Sequence, residues 1–136
     1  MNTISNSGRR GVSDAFAAAL WTLDGSFEIA QNGGVGVNFH QGAGQNLYAA
    51  IIRWYDADNK LRPPQLRPPF YGILLFQQAV RGGSRLMTNG GLTEVKGGAT
   101  KVLKVWPLMD NNDQELRCVC GGGGHRGAVG CRECSR

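Results

Sequence analysis

Cysteine is missing from the first 117 residues; all four (Cys118, Cys120, Cys131 and Cys134) fall in the last 19. The body is therefore no disulfide scaffold, and its redox compartment is not legible from cysteine usage. No apolar run approaches the roughly 18 residues of a membrane-spanning helix, so no membrane span is expected. The opening Met1–Gly8 has no basic stretch followed by an apolar one and does not read as a secretory signal. At 136 residues the chain suffices for one domain. A complete (β/α)₈ barrel, which needs roughly 200 or more, is excluded. Concentrated basic charge is also lacking. Residues 1–117 hold 12 Lys/Arg against 9 Asp/Glu, and residues 118–136 hold three Arg against one Glu, for +5 overall. Arg9-Arg10 and the scattered Arg53, Arg62, Arg67, Arg81 and Arg85 make no stripe with interleaved aromatics, so no nucleic-acid partner is expected. There is no internal repeat and no collagen period, although glycine is abundant at 21 residues, about twice its usual share.

What is present is an organised succession of elements. Residues 12–32 read as an amphipathic helix, with Ser13 as N-cap and Asp14 adding negative charge to the first turn. Phe16, Leu20, Leu23 and Phe27 fall on one face, which predicts burial in a core rather than a sugar platform, with Trp21 beside it. Asn32-Gly33-Gly34 ends the helix. These glycines and Gly36 have no strand-then-helix context for a phosphate-binding loop. Residues 35–40 read as a short strand, completing the αβ half of a parallel unit. It ends in Asn38 and His40, and polar groups at such strand ends are where α/β folds place function. Tyr48 to Tyr55 is β-prone, Asp56 to Asn59 is turn chemistry, and Lys60-Leu61-Arg62 returns as a second strand. After Pro68-Pro69, residues 70–80 read as a second helix closed by Arg81-Gly82-Gly83. Short β-prone pieces then follow at 85–88, 92–95, 102–106 and 115–119, separated by glycine pairs and Asp110 to Asp113, an antiparallel pattern.

Three segments carry a resemblance: Gly11-Val12-Ser13-Asp14-Ala15-Phe16-Ala17-Ala18-Ala19-Leu20-Trp21, Gly36-Val37-Asn38-Phe39-His40, and Pro69-Phe70-Tyr71-Gly72-Ile73-Leu74-Leu75-Phe76. In order and spacing they resemble glycoside hydrolase family 79, the heparanase and β-glucuronidase-like enzymes of carbohydrate metabolism; so does Lys101 to Arg117. The resemblance covers about residues 1–117. It implies a fold of class α/β plus β. Residues 1–82 would be the C-terminal part of a (β/α)₈ barrel (helix 7, strand 8, helix 8) and residues 83–119 part of an antiparallel β-sandwich. Residues 120–136 would be a Gly/Cys/Arg-rich tail, expected to be disordered for want of apolar side chains.

Family members hydrolyse glycosides with retention, using two glutamates about 5 Å apart. The resemblance places the acid/base after strand 4 and the nucleophile immediately before Met1, so neither is expected in this chain. It would be an inactive fragment of a retaining enzyme whose parent takes glycosides, with uronic-acid-containing saccharides foremost, and needs no cofactor. A secreted or periplasmic parent is compatible with this reading. The carboxylates present (Asp14, Asp24, Glu28, Asp56, Asp58, Glu94, Asp110, Asp113 and Glu115) end no barrel strand and read as capping or solvated groups.

For substrate binding, the resemblance singles out Asn2, Asn38, His40 and Tyr48. His40 either bonds a sugar hydroxyl, orients a catalytic carboxylate, or satisfies a buried backbone group. Tyr48 either lies near a uronate carboxylate or packs on the barrel rim. Tyr71 is expected to pack the second helix. The alternative to a glycosidase fragment is a small non-catalytic binding module whose tail holds zinc through Cys118, Cys120, His125, Cys131 and Cys134. Only Cys131/Cys134 has the C-x₂-C spacing of a zinc knuckle. A fragment would also leave strand 8 and the Phe16–Phe27 face without partners, so the chain alone is expected to be partly molten or self-associating.

Overall fold

The computed structural model describes residues 1–41, 44, 46–87, 103–111, 116–122 and 130–134. The expected β piece at 92–95 lies outside the described residues, as do His125, Glu94, Asp113 and Glu115. The described chain forms two helices, α1 (Phe16–Gln31) and α2 (Pro68–Ala79), and six strands. The strands are β1 (Ile51–Ile52), β2 (Gln65–Leu66), β3 (Arg85–Leu86), β4 (Leu103–Met109), β5 (Leu116–Gly122) and β6 (Gly130–Cys134). They make a two-stranded sheet, β1-β2, and a four-stranded antiparallel meander, β3-β4-β5-β6. The chain divides into two compact units at Leu75/Phe76, within α2 rather than after it.

In the first unit, α1 begins four residues later than the expected 12. Its N-cap is Ala15, without a side-chain bond, because Ser13 is engaged elsewhere. The helix ends as its Asn-Gly-Gly predicts. Gly33 takes φ +81, its N–H donates to the Ala30 carbonyl at 3.1 Å, and the Gly34 N–H donates to the Ile29 carbonyl at 2.8 Å. This is a Schellman stop, and it satisfies two of the last carbonyls.

The buried face of α1 is Ala18, Ala19, Thr22, Leu23, Ser26 and Phe27. Leu23 and Phe27 are where the sequence puts them, but Phe16 is 54% exposed and the apolar stripe is rotated toward small residues. The cause is α2. A β-carbon at Gly72 would strike the Ala19 carbonyl and lie 2.9 Å from Thr22 Cβ, so the helices approach through backbone. The hydroxyls on this face are made compatible with burial by back-bonding along α1: Thr22 to the Ala18 carbonyl at 2.8 Å and Ser26 to the Thr22 carbonyl at 2.7 Å. Tyr71 does not bury against a neighbour as expected; it is 55% exposed and stands edge-on to Phe70.

Residues 35–40 run without a named ladder rather than as a regular strand. They are nevertheless extended enough to alternate: Val37 and Phe39 are half-buried while Gly36, Asn38 and His40 are exposed. The return after Asp56 forms as expected, with Tyr55 bridging Leu61 and the Arg62 N–H donating to the Trp54 carbonyl at 2.9 Å.

In the second unit, α2 ends one residue earlier than read, and the β pieces extend beyond their expected ends into β4 and β5. Trp106 and Leu108 share a face of β4, and Val119 sits opposite Trp106 in register; all three are buried. Pro107 interrupts β4 without breaking it. Its carbonyl accepts from the Met87 N–H at 2.9 Å, just past the end of β3, so its missing donor falls where pairing is already ending. Of residues 120–136, those at 123–129 and 135–136 lie outside the described residues. Gly130–Cys134 pairs antiparallel with β5, because main-chain hydrogen bonding needs no apolar side chains once a partner edge is present.

Two outcomes follow from the helix packing. Gly25→Ala in α1 should stabilise by about 1 kcal/mol in chemical denaturation, since the added methyl meets only the flexible end of Met1. Gly72→Ala should destabilise by about 1–3 kcal/mol net of that propensity gain, since it meets backbone. With Phe16, Tyr71, Leu74 and Val35 exposed, the isolated chain should sediment as oligomers; a monomer with a sharp two-state transition would contradict this.

Candidate functional site

The site is assembled by main-chain bonds between the N-terminal segment and residues 38–40. The Met1 amino group donates to the Asn38 carbonyl, and the His40 N–H donates to the Met1 carbonyl at 2.8 Å. One residue bonding to both neighbours of Phe39 is the exchange pattern of a parallel pair. With α1 between the two segments, this is the connectivity of a β-α-β unit reduced to a single bridge.

The N-terminal segment reaches this position because Ser13 laces it. The Ser13 side chain is fully buried, and its hydroxyl accepts from Thr3 Oγ1 at 2.8 Å and from the Arg9 N–H at 3.0 Å. Gly8, at φ +87, packs against it so closely that a β-carbon would lie 2.8 Å from Ser13 Cβ and Oγ and 3.1 Å from Leu47 Cβ. The Leu47 N–H donates to the Ser7 carbonyl at 2.8 Å, tying in the loop that carries Tyr48. Asp14 accepts from the Gly11 N–H and closes the turn before α1.

Among the four expected binding residues, the structure brings His40 and Tyr48 together, with ring centroids 5.6 Å apart and planes tilted by 50°. Asn38 and His40 lie on the same exposed side of their extended segment. Asn2 directly follows the residue that bridges to them. The exposure of His40 argues against a ring buried to satisfy backbone. These residues carry an imidazole, a phenol and two carboxamides, which donate and accept hydrogen bonds and include no carboxylate.

The metal alternative fares differently. Among the described residues, no group of three or more His, Cys, Asp or Glu stands close enough to hold a metal ion. The register sets Cys131 opposite Val119 and Cys134 opposite Leu116. The expected ligand His125 lies outside the described residues.

Sequence reasoning missed two features. Ser13 reads as a helix cap, and nothing local signals that its partners are Thr3 and Arg9. Asp56 reads as a solvated turn residue, yet its side chain is only 13% exposed. It accepts from the Asp58 and Lys60 N–H groups at 3.0 and 2.8 Å and pairs with Arg62 Nε at 2.9 Å. No protein-family model matches the chain, and no curated protein matches it either.

Ser13→Ala should cost about 0.5–1.5 kcal/mol, because it removes the acceptor shared by the Thr3 hydroxyl and the Arg9 N–H. It should also speed hydrogen exchange of the His40 amide, whose acceptor is the laced segment. Unchanged exchange at His40 would show that the bridge does not depend on the lacing.

Proposed function

We propose that this chain is the C-terminal portion of a retaining glycoside hydrolase of the family 79 kind, acting on uronic-acid-containing glycosides. Here it contributes substrate-positioning groups and not the catalytic pair. The observation that supports this reading most directly is the parallel main-chain bridge across Phe39 with α1 between its two halves. Such a pairing is what consecutive barrel strands 7 and 8 require. In that frame Asn38 and His40 face the barrel mouth, and Tyr48 closes it from the loop after the strand. These groups would orient sugar hydroxyls or a uronate carboxylate. The chain's own Asp14 and Asp56 accept backbone N–H groups and organise turns.

The test is a transplant. Residues 1–117 replace the matching segment of an active family 79 β-glucuronidase, and hydrolysis of an aryl glucuronide is followed. The chimera should turn over, and His40→Ala within it should lower kcat/KM by about 10–100-fold, a loss of about 1.4–2.7 kcal/mol of transition-state stabilisation. A folded but inactive chimera would overturn the proposal. The free chain should not hydrolyse the substrate; activity abolished by changing one of its own carboxylates would also overturn it. Stoichiometric zinc retained through a chelating resin and lost in Cys131→Ser would favour the binding-module alternative.

A further inference from the structure

The hairpin that follows the candidate site holds a second set of groups. Tyr55 bridges Leu61, so Trp54 lies opposite Arg62 and shares a hairpin face with Asp56. With Pro63, Pro64 and Gln65 these residues line an open cleft of about 460 Å³, within the usual size of small-ligand sites, about 300–1,000 Å³. Asp56 is already used by two backbone N–H groups and by Arg62 Nε. Its role is to hold the guanidinium in place. Arg62 donates one of its five side-chain N–H groups to Asp56, and the other four have no partner among the described residues. The Arg62 side chain is 55% exposed.

We propose that this cleft binds a carboxylate-bearing sugar ring, with the carboxylate bidentate on the Arg62 Nη edge and the ring's C–H face on Trp54. The choice of a sugar rests on the glycosidase reading; the cleft's lining includes neither His40 nor Tyr48. A carboxylate fits better than a phosphate. A single guanidinium whose charge is partly balanced by Asp56 matches a monoanion, whereas a phosphate near −2 calls for more cationic partners. The planar fork suits two parallel N–H···O bonds. The prolines add apolar wall without backbone donors that would need partners of their own.

The experiment is an NMR titration of the full chain with methyl β-D-glucuronide, methyl β-D-glucoside and acetate. Saturable shifts are expected at Trp54 Nε1–H and Arg62 Nε–H. The glucuronide should bind at least about tenfold tighter than the glucoside, a difference of about 1.4 kcal/mol. Arg62→Gln should erase that preference while leaving the Ala50–Arg67 amide spectrum otherwise intact. Four results would each overturn the proposal: equal affinity for the two glycosides, acetate binding as tightly as the glucuronide, no saturable shift up to tens of millimolar, or shifts that vanish in His40→Ala but survive Arg62→Gln. Binding here involves no turnover, so its failure and the failure of the transplanted chain to hydrolyse substrate are separate observations.

Discussion

The first unit depends on one closure: the hydrogen bonds that hold Met1 against residues 38 and 40. Two main-chain bonds close a long excursion that contains the whole of α1, and closing it costs chain entropy that two bonds alone do not offset. The closure is therefore distributed. The buried Ser13 hydroxyl draws in Thr3 and Arg9, the Ser7 carbonyl takes the Leu47 N–H, and the Schellman stop turns the chain back at Gly33. The Ser13 bonds gather the N-terminal segment and the Ser7–Leu47 bond ties the two ends of the excursion together a second time. This lacing is what brings the His40 segment and the Tyr48 loop together.

Helix packing shows a second use of close backbone approach. A Leu-and-Phe stripe would have held α2 at side-chain distance from α1. Instead Ala18, Ala19, Thr22 and Ser26 form a shallow face, and Gly72 settles onto the Ala19 carbonyl. Dispersion between backbones replaces interdigitated large side chains. This leaves Phe16 and Tyr71 outward. The abundance of glycine thus has a structural outlet at Gly8 and Gly72, where a methyl group would strike something that does not yield easily.

Legibility follows the range of the interaction. The stop of α1 at Asn32-Gly33-Gly34, the extent of α2 from its prolines to Arg81-Gly82-Gly83 and the turn at Asp56–Asn59 are written in adjacent residues, and sequence reasoning finds them. The orientation of α1 depends on Gly72, about fifty residues away, so hydrophobic spacing alone turns the helix the wrong way. The partners of Ser13 are nonlocal in the same sense. Strand β6 is invisible to patterning because its ladder asks only for a neighbouring edge. Among the candidate site residues, His40 and Tyr48 could be paired only through the resemblance to a barrel strand and the loop after it.

The polar groups of the first unit divide by what they bond to. Imidazole, phenol, carboxamide and guanidinium groups are held with free donors or acceptors toward solvent, while Asp14 and Asp56 spend their oxygens on backbone N–H groups and Arg62. A carboxylate that acts in bond cleavage must keep an oxygen directed at the reacting centre, within reach of a second carboxyl. Both oxygens of Asp56 are already engaged, Oδ1 by the two backbone N–H groups and Oδ2 by Arg62. Releasing Asp56 from the Asp58 and Lys60 N–H groups would also release Arg62 and the hairpin that presents Trp54. Asp56 thus ties the turn at 56–60 to the placement of Arg62, so backbone geometry and the position of the guanidinium stand or fall together.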